Sequence, residues 1–151
     1  MQGREEIIAS LKKYFQITEF VCPDVFQKFG ERAWQFFDTE FLYCILLLRE
    51  TVLCAPMYIN NYKKGYTQKG LRCNRCQIVR GKATVYLSGH VLAKAVDFTV
   101  AGMTAEQARQ KIKENADLFP CRIRLEKDVS WVHFDTIQQY GVNDKVYEFS
   151  A

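Results

Sequence analysis

The chain holds two histidines, and each stands beside groups that could share a metal with it. His90 lies in Ser88-Gly89-His90-Val91-Leu92-Ala93-Lys94-Ala95-Val96-Asp97-Phe98, and His133 lies in Trp131-Val132-His133-Phe134-Asp135. Neutral imidazole is a good zinc ligand, and a catalytic zinc keeps three protein ligands plus a water. His90, Asp97 and His133 supply such a set. Read singly, each has an ordinary alternative: a packed histidine, or an aspartate that caps a turn or pairs with a lysine. Read jointly, with no other histidine in the chain, they favour a metal site.

Hydrolysis at such a site also needs a carboxylate to take the proton of the attacking water and pass it to the leaving group. Two alternating runs, Arg122 to Glu126 and Trp131 to Asp135, flank Lys127-Asp128-Val129-Ser130 at hairpin spacing. With a four-residue loop, Glu126 opposes Trp131 and Arg124 opposes His133. Alternate residues of a strand share a face, so Trp131, His133 and Asp135 point together, with Glu126 on their side. Glu126 is the first choice for the base and Asp128, in the loop, the second. Pairing of Glu126 with Arg122 or Arg124 is the plainer alternative.

The elements that must position these groups follow from periodicity. Residues 4–15 read as a helix with Ile7, Ile8, Leu11, Tyr14 and Phe15 on one face. A short helix follows, opened near Pro23 and closed by Gly30. Residues 31–53 carry the longest helical pattern and are expected to form one central helix ending before Pro56. Strands are expected at 57–60, 93–100, 122–126, 131–135 and 145–149. Thr104 and Gln107 form a capping box for a helix from Ala105 to about Leu118. Helices first, then a meandering sheet with one inserted helix, make an α+β domain covering residues 1–151.

Composition narrows the function classes. Apolar residues make up 48% of the chain, enough for one core without disulfides. The six cysteines are therefore expected as reduced thiols. Cys22, Cys44, Cys54 and Cys121 sit among apolar residues and are expected to pack as small hydrophobes. Cys73 and Cys76 form a CxxC, but no second pair stands at zinc-site spacing, so neither a structural metal nor a redox role is expected there. The start lacks an apolar signal segment, and no run is long enough to span a membrane, which predicts synthesis in a cytoplasm without membrane insertion. The net charge of +4 and the acid-free segment Met57 to Gly89 fit an anionic partner. That charge is too modest to favour nucleic acid bound through Tyr58, Tyr62, Tyr66 and Tyr86.

The same residues carry a family resemblance. Ser88-x-His90 followed by Ala95-x-Asp97 resembles the SxHxxGxAxD signature of the zinc D-Ala-D-Ala metallopeptidases, which include D-alanyl-D-alanine carboxypeptidases and phage L-alanyl-D-glutamate endopeptidases. Trp131-Val132-His133-Phe134-Asp135 is similar to that family's segment bearing the second histidine ligand. Gly70-Leu71-Arg72 resembles its upstream arginine motif, and Ile59-Asn60-Asn61-Tyr62 the stretch before it in phage-type members. The resemblance spans roughly Phe15 to Asp135. It implies a hedgehog/DD-peptidase-like fold, an antiparallel sheet flanked by helices. It also implies Zn2+ held by His90, Asp97 and His133. Arg72 would then contact substrate or the oxyanion, Glu126 would match a glutamate before the last histidine segment, and Ser88, Trp131 and Asp135 would stand behind the ligands. The implied activity is hydrolysis of peptide bonds in peptidoglycan stem peptides or cross-links. This would make the chain a phage or prophage lytic peptidase, acting on the bacterial wall after release or carried on the virion. Two departures bear on that expectation. Ala93 replaces the usual glycine after the first histidine, and Ser130 stands where several members carry the catalytic carboxylate. A module that keeps the fold and zinc but has lost catalysis is the alternative.

Overall fold

The computed structural model describes residues 2–151. Five helices and five short strands make an α+β arrangement: α1 (Arg4–Leu11), α2 (Pro23–Phe29), α3 (Thr39–Leu47), β1 (Met57–Tyr58), α4 (Gln77–Arg80), β2 (Ala95–Val100), α5 (Ala105–Glu114), β3 (Ile123–Glu126), β4 (Val132–Asp135) and β5 (Val146–Phe149). In α1, Ile7 and Leu11 are wholly buried. Proline opens α2, where its missing N–H costs nothing, and Gly30 closes it at φ +55°. Thr104 and Gln107 cap α5 reciprocally, as their spacing predicts.

The expected single helix over 31–53 is interrupted. Residues Gly30–Phe36 wind as a 3-10 helix, and Phe37 and Asp38 are extended. The Asp38 carboxylate then accepts the Phe41 N–H at 2.7 Å and starts α3 afresh. A side chain that can satisfy free N–H groups at a helix start competes with an unbroken helix, and here it wins. After Leu47 the helix widens into a π-turn over Leu48–Val52.

The sheet order is β1-β2-β4-β3-β5. The first three pairings are antiparallel, whereas β5 runs parallel to β3 at the edge. The expectation of a wholly antiparallel sheet is corrected at that pair. One face of the sheet carries Val96, Phe98, Ile123, Leu125, Val132 and Phe134, all fully buried in the core. Alternation places Ala95, Asp97, His133, Asp135, Arg124 and Glu126 on the other face. No helix among the described residues is long and apolar enough to cross a membrane.

Between β1 and β2 the chain is held by single hydrogen bonds rather than by sheet. The Leu71 N–H donates to the Phe20 carbonyl at 2.7 Å, the Asp97 N–H to Lys69 O at 2.8 Å, and the Arg72 N–H to His90 O at 3.2 Å. Gly70 is required for the first of these. A Cβ there would stand 2.2 Å from Phe20 O. The buried Asn60 side chain ties the same region together, accepting from Lys69 N–H and donating to Val21 O. Segment 69–72 is thereby stitched to the N-terminal turn on one side and to β2 and His90 on the other.

Candidate metal centre

Ligand atoms of His90, Asp97 and His133 lie within 4.8 Å of one another. Asp97 and His133 are register partners on β2 and β4. His90 reaches them from the turn before β2, closed by Lys94 N–H donating to Gly89 O at 2.9 Å. Gly89 is needed here, since its Cβ would meet the Ala95 methyl at 2.9 Å. Ala93, where the resembled signature carries glycine, takes φ +57°. The chain accepts left-handed backbone there at a cost of about 1–2 kcal/mol.

The far nitrogen of each imidazole faces an oxygen that can only accept. His90 Nδ1–H donates to the Gly70 carbonyl at 2.8 Å, and His133 Nε2–H donates to the Asp135 carboxylate at 2.7 Å. These partners set the tautomers and leave His90 Nε2 and His133 Nδ1 as the near nitrogens. Those two atoms stand 3.1 Å and 2.8 Å from separate oxygens of Asp97. A lone pair aimed at a carboxylate oxygen is repelled unless a cation, either proton or metal, lies between. The donor set, two imidazoles and a carboxylate with their outer hydrogen bonds in place, is of the kind that holds a divalent transition metal.

The electrostatics have the same cause. Burial pulls the His133 imidazolium down, but hydrogen bonds to Asp135 and Asp97 outweigh it and push its pKa up to about 9. Burial raises Asp97, yet hydrogen bonds from His133 and His90 hold its carboxyl well below the usual range. Asp135 is likewise lowered against its burial, by His133 and then Arg124. Arg124 grips both Asp135 oxygens, at 2.8 Å and 3.0 Å, and its guanidinium lies over the Phe149 ring.

A cavity of about 360 Å³ opens on this cluster, with Arg72, Ser88, Glu126, Trp131 and the chain end at Phe149 and Ala151 in its wall. The Arg72 guanidinium donates to Gln68 O at 2.6 Å and stands 3.5 Å from Asp97. Ser88 accepts the Val91 N–H and steadies the turn of His90. Buried Arg109 donates to the carbonyls of Trp131 and Val129 and pins the β3–β4 connection.

The hairpin register differs from the expected one by two residues: Arg124 pairs with Asp135 and Leu125 with Phe134. An even offset preserves the face. Continued by one step, this register carries Glu126 to the level of His133, and Glu126 forms no ion pair or side-chain hydrogen bond among the described residues. Asp128 sits at the exposed tip with φ +63° and is not part of the cavity wall. The Gly70 carbonyl and Phe149 were not singled out from the sequence. Arg124 was expected opposite His133 and as a partner for Glu126; it pairs with Asp135.

Among the cysteines, Cys54 departs from expectation: it is exposed, with φ +51°. Cys22 packs, but against sulfur: it forms a group with Cys73 and Cys76 that could also hold a metal. Comparison of the chain with protein families, with curated proteins and with solved structures finds no match.

Proposed function

We propose that the chain is a zinc-dependent peptidase acting on peptidoglycan stem peptides or cross-links, of the hedgehog/DD-peptidase type, and that it serves a phage or prophage in breaking the bacterial wall. The observation that carries the reading is the pair of oriented imidazoles, each tied behind to an acceptor and presenting its other nitrogen toward Asp97. His90 Nε2, His133 Nδ1 and an Asp97 oxygen would hold the ion. Bound there, zinc would polarise the scissile carbonyl and make its water acidic near neutral pH.

The protein's own groups do the rest. Glu126, free of partners and facing the cavity, takes the proton from the attacking water and returns it to the leaving amine. Arg72, its guanidinium fixed by Gln68 O, offers its remaining N–H donors to a substrate carboxylate or to the developing oxyanion. Stem peptides carry such carboxylates, and the acid-free segment 57–89 on the approach favours them. Asp135, clamped by Arg124, keeps His133 turned in one direction.

Metal analysis of wild type and His133→Ala, followed by peptidoglycan hydrolysis, tests this. About one zinc bound at this site and lost in the variant, with wall hydrolysis in the wild type, is the expected result. Glu126→Gln should keep the metal and lose on the order of 10²–10⁴ in turnover. Failure of the wild type to bind metal refutes the reading. Zinc without hydrolysis leaves the wall-binding module, which Ser130 in place of a carboxylate favours.

A further inference from the structure

The second grouping is made of three cysteines that do not line the cavity. Cys22 precedes α2, and Cys73 and Cys76 bracket the turn Cys73-Asn74-Arg75-Cys76 before α4. Their sulfurs all fall within 4.8 Å of one another, and Cys22 Sγ is 3.5 Å from Cys73 Sγ. Two thiolates on one tetrahedral zinc, at Zn–S of about 2.3 Å, stand roughly 3.8 Å apart. The sulfurs are thus spaced as ligands of one ion, with little adjustment. The turn is preformed for chelation: Cys76 N–H donates to Cys73 O at 3.2 Å, and Arg75 N–H points at Cys73 Sγ at 3.4 Å. All three cysteines are free, Cys22 and Cys76 are buried, and Cys73 is half-buried.

We propose that Cys22, Cys73 and Cys76 form a second metal site, a three-thiolate site for a soft divalent ion such as zinc, with its fourth position open to water on the Cys73 side. Binding replaces three S–H protons with three metal–sulfur bonds, releases those protons and leaves a complex of net charge −1 for a divalent ion. Among the described residues no other histidine, cysteine or carboxylate ligand atom joins the group. Both histidines belong to the other centre, and the Tyr62 hydroxyl, close to Cys22 and Cys76, donates to Val21 O at 2.5 Å.

The placement says what the site does. Cys22 follows the N-terminal turn, whereas Cys73 and Cys76 follow Gly70 and Arg72. Among the described residues the backbone ties across this seam are the pairing of Val21 with Leu71 and the Leu71 N–H to Phe20 O bond. A metal bound to all three sulfurs rivets the seam and so holds the Gly70 carbonyl and Arg72 in position. The role is structural, and it does not rest on the proposed peptidase activity.

Cobalt added to reduced, metal-free wild-type protein tests the site. A sulfur-to-cobalt charge-transfer band should appear, persist in His133→Ala and vanish in Cys22→Ser and in Cys73→Ser. Because the band reports thiolate ligation only, an empty His90–Asp97–His133 centre would leave it intact, so the two sites fail separately. If the serine variants do not fold, alkylation of wild type decides. Cadmium should block modification of Cys73 while leaving exposed Cys54 reactive, and a chelator should restore it. Absence of the band in wild type, its survival in Cys22→Ser, or equal alkylation of Cys73 with and without cadmium would overturn the proposal.

Discussion

Without metal, the imidazole of His133 is held as a cation between two carboxylates, and this gives the protein a stability that alkali should remove. The groups facing that ring are Asp97, Asp135 and His90, with Arg124 and Arg72 one contact further out. The folded-state pKa of about 9 lies above the ordinary 6.5. The folded state therefore holds the proton more tightly than the unfolded chain does. The resulting stability is complete below 6.5 and is lost as pH rises through about 9. At about 1.4 kcal/mol per tenfold, the displacement corresponds to roughly 3 kcal/mol. For a chain of this size that is on the order of 6–12 °C in Tm. The assay is thermal or urea unfolding of chelator-treated protein on either side of this window, with His133→Gln as reference. The wild-type excess should shrink toward zero at the alkaline end. Zinc competes with the same proton, so the stabilisation it confers should grow as pH rises over the same window. A wild-type curve parallel to that of His133→Gln would refute the reasoning, because it would mean that the two carboxylates do not hold the imidazolium.

Arg124→Ala should remove the guanidinium and its two hydrogen bonds from a fully buried carboxylate, costing about 3 kcal/mol in urea unfolding. The same variant should weaken metal binding about 10–100-fold, measured by competition with a chelator, because Asp135 no longer orients His133. Gly70→Ala drives a methyl into the Phe20 backbone and should destabilise by at least about 2 kcal/mol, with His90 losing its acceptor.

The members of the candidate cluster were legible because they need only residue type: two histidines and an aspartate, which the structure brings together. Their convergence was legible because alternation on β2 and β4 puts Asp97 and His133 on one face whatever the loop length. The loop itself was misread by two residues, and this did no harm to the face, since only an odd shift would have turned Glu126 into the core. The direction of β5 was not legible, because a strand of four residues looks the same to a parallel and an antiparallel neighbour. The break at Asp38 could have been seen, as an aspartate three residues before Phe41 is a cap in waiting, but the apolar stripe through Trp34, Phe37 and Phe41 masked it. Cys22 lies 51 residues from Cys73, and only the seam between Phe20–Cys22 and Gly70–Cys73 brings them together. Ligand spacing along the chain carries no trace of such a contact.

The edge strand β5 has a practical consequence for handling the protein. Phe149 and Ala151 belong to the cavity wall, and Phe149 packs edge-on against the His133 ring with centroids 5.6 Å apart. Anything joined after Ala151, whether an affinity tag, a fluorescent fusion or further polypeptide, starts beside the cavity wall. A polyhistidine tag there would bring spare imidazoles beside the candidate metal centre and would confound its metal stoichiometry. Tags belong before Arg4, on the helical side away from the sheet's polar face, and a deliberate C-terminal peptide becomes a tethered ligand whose sequence can be varied to map what the cavity accepts.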